Sequence, residues 1–181
     1  MKRLALALAL FILLAGCSSE PSASSETTTD KVENVISIED YKQQVTELND
    51  KILNASIPLG NMAQWELNFM KTLGRSSDDI VDRAFEWLET ESDYTETGVK
   101  DTCTEIASLM KEISDNTDTS PESQMIDIFN QTVSLYESYV GLYETVTEAP
   151  TSVTAFAEDV STYFPAIPTN SKTLTDMLTD E

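Results

Sequence analysis

The chain has 181 residues, 32 of them acidic against 11 basic, no histidine and a net charge of -21. That length suits one domain of ordinary size, and the charge argues against gripping a phosphate backbone, so no nucleic-acid partner is expected. The missing imidazole excludes a Ser-His-Asp triad, a Cys-His pair and a His-ligated zinc or di-iron site, and five glycines are too few for the Gly-rich loops of most nucleotide folds.

Lys2 and Arg3 precede an unbroken apolar run from Leu4 to Ala15. A run of about a dozen residues is shorter than the roughly 20 that a permanent membrane helix needs, and it fits the apolar region of a signal peptide. The run ends in Leu14-Ala15-Gly16-Cys17: a branched apolar residue, two small residues, then cysteine. This resembles the lipobox of bacterial lipoproteins. The resemblance covers the N-terminus alone. It implies a signal peptide over residues 1–16, cleavage before Cys17 and a thioether-linked diacylglycerol on Cys17. Each buried acyl CH₂ contributes about 0.8 kcal/mol, and two chains anchor stably where one is marginal. The implied partner is thus a membrane, held from its extracytoplasmic side. In a host with two membranes, Ser18 stands where inner-membrane lipoproteins carry aspartate, which implies the outer membrane. In a host with one, the domain faces the cell wall.

Residues 17–36 read as the lipidated cysteine and a flexible tether, rich in Ser, Thr and acid. For about 18 flexible residues the span is roughly 20–25 Å, and the negative charge keeps the helical domain off anionic lipid.

From residue 37 to 181 the apolar spacing is helical. Ile38, Tyr41, Val45, Leu48 and Ile52 step by threes and fours behind a Ser37 cap, with Asp40 in the first turn. Pro58 and Gly60 are expected to break the chain. A second helix places Met62, Trp65 or Glu66, Phe69 and Leu73 inward and stops at Gly74. Ser76 or Ser77 caps a third, with Ile80, Ala84, Trp87 and Leu88 inside. Val99, Cys103, Ile106, Met110 and Ile113 mark a fourth. Ser120-Pro121 signals the start of the longest, with Phe129, Val133, Tyr136, Val140 and Tyr143 on one face and Pro150 as its end. Val153, Phe156, Val160 and Tyr163 form a shorter helix, ended by Pro165 and Pro168, and a last turn or two covers Ser171 to Leu178. No stretch alternates with period two. The expectation is an all-α fold, a compact bundle of five or six amphipathic helices behind the tether, with short loops and shallow crossing angles near +20°.

Several constellations invite a chemical reading. Ser108 and Lys111 match S-x-x-K, and Ser114-Asp115-Asn116 matches S-D-N, as in penicillin-binding proteins and β-lactamases. There the motifs lie far apart in a large α/β fold. Here they are three residues apart and Lys-Thr-Gly is missing, so a helix C-terminus explains them better. Glu137-Ser138 matches the pair used by lytic transglycosylases, but Gly141-Leu142 continues as Tyr143-Glu144, not as that family's Gly-Leu-Met-Gln. An exposed glutamate is the simpler account. Asp78, Asp79, Asp82 and Glu86 cluster at helical spacing as a possible cation site. They equally suit the first turn of a helix, with Arg75 and Arg83 relieving repulsion. Asp115 to Ser120 lacks the glycine and glutamate of a calcium loop. Tyr136, Tyr139 and Tyr143 form a stripe that could stack on a ligand, although core packing is the commoner use of such a stripe, and Trp65 and Trp87 are placed in the core likewise. Cys103, the only thiol left once Cys17 is acylated, has no disulfide partner and is expected as a buried, inert thiol. Beyond Lys111 there are 13 acids and a single base, Lys172. This acidity suits either a self-repelling surface in a salty exterior or a face for a cationic partner.

No cofactor, metal or catalytic residue is called for. The expected function is a lipid-anchored envelope lipoprotein with a non-enzymatic binding, scaffolding or accessory role toward an envelope protein partner. A small-ligand or cation-binding sensor is the alternative, and a cell-wall hydrolase using one carboxylate stands third.

Overall fold

The computed structural model describes residues 36–74, 79–119 and 123–179. The signal peptide over residues 1–16, Cys17, the tether up to residue 35, the Ser76 or Ser77 cap and the Ser120-Pro121 start signal all lie outside them. Among the described residues there are five α-helices and no strand: α1 Ile38–Leu73, α2 Ile80–Glu91, α3 Glu96–Thr119, α4 Ser123–Thr147 and α5 Val153–Thr179.

Helix α1 begins as its sequence predicts. The Ser37 hydroxyl accepts the Asp40 amide at 3.1 Å and donates to the Asp40 carboxylate at 2.8 Å, so side chain and backbone close the first turn together. Gly74 ends the helix in the left-handed region, with φ 70°, where a residue without a Cβ is unstrained.

The break expected at Pro58 and Gly60 does not occur, and α1 runs 36 residues through both. Pro58 forfeits the bond to the Asn54 carbonyl, and a proline inside a helix costs about 3 kcal/mol. The buried stripe explains why the helix survives. Tyr41, Val45, Leu48, Ile52, Ser56, Leu59, Ala63, Glu66 and Met70 stay in phase across the proline, all buried. Each large apolar side chain in that stripe contributes roughly 1.5–3 kcal/mol, so Ile52, Leu59 and Met70 together outweigh the proline. Helix α1 touches each of the other four helices and is the spine of the bundle.

The same correction applies to α5. Its sequence predicts an end at Pro165 and Pro168 and a separate turn over Ser171 to Leu178, yet the helix is continuous from Val153 to Thr179. Both prolines lie on its exposed side, as do Ser161 and Phe164, whose carbonyls the prolines release to solvent. The opposite side carries Phe156, Ile167, Ser171 and Leu174, all buried.

Helices α4 and α5 make the most extensive pairing in the bundle, and it is partly polar. Asn170 Nδ2 donates to the Ser134 carbonyl at 3.1 Å and to Ser138 Oγ at 3.0 Å, while Gln131 Nε2 donates to the Asn170 carbonyl at 3.1 Å. Helices α1 and α3 are tied through Tyr41, whose hydroxyl lies 2.7 Å from Thr117 Oγ1. Thr117 gives its own proton to the Ile113 carbonyl, so Tyr41 is the donor.

The stripe of α4 lies one residue away from the expected one. Phe129, Val133, Val140 and Tyr143 are only half-buried, and the sealed face is Met125, Ile128, Thr132, Leu135, Tyr139, Leu142 and Val146. Thr132 can sit there because its hydroxyl donates back to the Ile128 carbonyl at 2.8 Å, which satisfies a buried polar group within the helix.

Gly141 sets how closely α5 can approach α4. A Cβ there would meet three carbons of the Tyr163 ring at 2.5–2.6 Å. Gly141→Ala is therefore expected to lower stability by about 1–3 kcal/mol through overpacking, although alanine is by itself the better helix former by about 1 kcal/mol. Thermal unfolding checks this. A variant melting above the parent would mean that Tyr163 swings aside without loss.

Candidate functional site

The residues singled out by sequence are dispersed. Asp78 lies outside the described residues. Asp79 pairs with Arg83 Nε at 2.6 Å, and Asp82 and Glu86 are exposed on α2. Among the described residues no three acids or cysteines converge as a group able to hold a metal ion. Ser108 Oγ donates to the Thr104 carbonyl at 3.0 Å, and Lys111 pairs with Asp115 at 2.5 Å, so the S-x-x-K serine and lysine do not address each other. Glu137 is exposed.

The tyrosine stripe is largely packed into the core. Tyr139 is 1% exposed, Tyr136 is at the edge of burial and Tyr143 is half-buried. The Tyr139 and Tyr143 rings lie 6.4 Å apart. Burial pushes the Tyr136 phenol up to about 12 and the Tyr139 phenol higher, because a phenolate there would lose its water. The Cys103 thiol, itself half-buried, is raised above its ordinary value by burial, and the neighbouring Tyr139 hydroxyl offsets part of that rise. An elevated thiol is a poor nucleophile.

A different pair of residues forms the notable surface. The spacing of Trp65 and Trp87 predicts them in the core, but both are only half-buried. Of the two inward candidates on α1 at that turn, the fully buried one is Glu66, which turns Trp65 to the flank of the helix. There the Trp65 ring stacks on Trp87 of α2 at 6.0 Å between centroids and 22° between planes, and on Phe69 at 5.0 Å and 10°. Arg83 covers Phe69, its guanidinium carbon 5.6 Å from the ring centroid. The result is a ladder of three aromatic rings and a guanidinium along the α1–α2 seam.

The two indoles line an open cleft of about 440 Å³, within the range of small-molecule sites. Asn61, Gln64 and Asn68 flank Trp65 on the α1 side. Leu88, Glu91 and Ser92 accompany Trp87 on the α2 side. Ser92 Oγ is already committed, donating to the Leu88 carbonyl at 2.6 Å and accepting the Tyr94 amide at 3.3 Å. The three carboxamides are exposed and make no hydrogen bond through their side chains to a described residue. One sequence signal could have found the cleft: between Lys51 and Lys71 the only ionisable side chain is Glu66, in a chain otherwise dense with acid.

Glu66 itself is sealed, and neither carboxyl oxygen meets a hydrogen-bond partner. Burial pushes its carboxyl up to about 9, so at neutral pH it is a neutral acid. It has no exposed surface through which to reach a substrate.

No family model matches the sequence, and neither a curated protein nor a solved structure matches it. Among the described residues no helix is long and apolar enough to cross a membrane.

Proposed function

We propose that this chain is a bacterial lipoprotein, anchored through lipid on Cys17 to the extracytoplasmic side of a membrane, whose helical domain binds and does not catalyse. The observation that carries the reading is the order of the N-terminal residues: Lys2-Arg3, a short apolar run, then Leu14-Ala15-Gly16-Cys17 and a polar segment ahead of the helical domain. In support of a binding role, the carboxyl that burial raises most is sealed inside α1, while the cleft at the α1–α2 seam is lined mainly by rings and carboxamides, together with Glu91. Stacking rings and carboxamides recognise a ligand without exchanging protons with it. The cleft also favours capture of a small ligand over docking of a large protein surface, since it is concave and confined to one helix pair.

Labelling cells with palmitate and separating membrane from soluble fractions tests the anchor. The wild-type chain is expected in the membrane pellet with label. Cys17→Ala is expected without label and, lacking the cysteine before which cleavage occurs, with residues 1–16 still attached. An unlabelled wild-type protein recovered in the soluble fraction would overturn the anchoring.

A further inference from the structure

We infer that the α1–α2 cleft is a binding site for a neutral saccharide, with Trp65 and Trp87 as the stacking platform and Asn61, Gln64 and Asn68 as the hydrogen-bonding rail. The inference rests on the small-ligand reading above and is independent of the lipid anchor.

The chemistry of the lining selects the ligand. The two indoles lie nearly parallel with centroids 6.0 Å apart, so they are in contact with each other and leave no slot for a third ring between them. A ligand must lie across their exposed faces and edges, as the C–H face of a pyranose does. Carboxamides carry both donors and an acceptor, which matches hydroxyls that also do both. Asn61, Gln64 and Asn68 stand at i, i+3 and i+7 on one helix face. At 1.5 Å per residue they form a rail about 10 Å long, the length of two linked sugar rings. A single heterocycle would meet only one of them.

Charge narrows the class further. An anionic ligand would face Glu91 and a chain of net charge -21. A quaternary ammonium prefers rings that enclose it from several sides, whereas these rings form a ladder whose far end is already covered by Arg83. What remains is an uncharged, hydroxyl-rich ligand, and the absence of ionisable side chains other than the buried Glu66 between Lys51 and Lys71 matches it.

The chain holds two tryptophans, and both are in the cleft, so intrinsic fluorescence reports on this site directly. The test titrates the detergent-solubilised full-length protein with maltotetraose, cellotetraose and chitotetraose, and separately with choline and adenosine. At least one tetrasaccharide is expected to shift the emission saturably. Trp87→Ala should weaken that binding by roughly tenfold or more. Gln64→Ala, an exposed change that does not touch the core, should weaken it severalfold while leaving the melting temperature unchanged, and calorimetry should report the same loss. No response to any tetrasaccharide at millimolar concentration would overturn the inference. So would a response to choline or adenosine alone, or saccharide binding in both variants equal to the parent's. Failure here leaves the palmitate result at Cys17 untouched, and failure of the anchor leaves this titration readable.

Discussion

Replacing Glu66 with glutamine is expected to stabilise the protein by an amount that grows with pH. The Glu66 carboxyl is held at about 9 by burial, against an ordinary value near 4.3 in an unfolded chain. Between those two values the folded protein keeps a proton that the unfolded chain has released. Stability from this group is therefore fully present below about pH 4, falls by about 1.4 kcal/mol per pH unit above it, and levels off only past the folded value. At pH 7 the difference amounts to about 4 kcal/mol, a large share of the roughly 5–15 kcal/mol that a domain has. Glutamine has nearly the same shape and never ionises. Urea unfolding of Glu66→Gln and its parent should give similar free energies near pH 4.5 and diverge by about 4 kcal/mol at pH 7. The half-exposed Glu144 is also raised, by burial and by Glu148, and tilts both proteins the same way, so it cancels in the comparison. A difference that does not change with pH would mean that Glu66 is ionised in the folded protein and that water or a moving side chain reaches it.

Glu66 also shows where sequence reasoning ran out. Local signals were legible. The Ser37 cap, the Gly74 stop, the Pro150 stop and the stripe through Val99, Ile106, Met110 and Ile113 arise from spacing and from backbone chemistry. The all-α class rests on the same periodicities. What failed was the weighing of a local penalty against a tertiary gain. Pro58, Pro165 and Pro168 each carry a helix-breaking cost that can be read from one residue. The burial that outweighs it depends on which helices lie alongside, which no single residue records. The tryptophans failed for a related reason. At the Trp65–Glu66 step either residue satisfies the helical period, and hydropathy places the indole inside. The bundle buries the carboxyl instead and leaves the indole on the flank. The α4 stripe slipped by one residue because its true members include Thr132 and Ser138, whose hydroxyls are satisfied inside their own helix.

Tyr139→Ala is expected to destabilise the domain by about 3–5 kcal/mol, the range found for removing a large buried ring. The ring is 1% exposed and packs beside Tyr143, with its hydroxyl near Cys103 on α3, so alanine leaves a void at the α3–α4 seam. Tyr139→Phe separates the ring from the hydroxyl. It keeps the ring and removes only the hydroxyl, a loss of about 1 kcal/mol at most. Chemical denaturation of the pair, with the parent, gives both numbers. The same measurement at high pH carries a sign. The phenol is raised in the folded state, so its contribution is complete below about pH 10, where an unfolded tyrosine begins to ionise, and it is lost as pH rises beyond that point. Tyr139→Phe should therefore lose less stability than its parent between about pH 9.5 and 11. If instead Tyr139→Ala unfolded at the parent's denaturant concentration, the stripe would be a tolerant surface, and ligand stacking on Tyr136, Tyr139 and Tyr143 would return as a rival to the tryptophan cleft. The burial of Tyr139, set against the half-exposed indoles of Trp65 and Trp87, is the reason to expect the opposite.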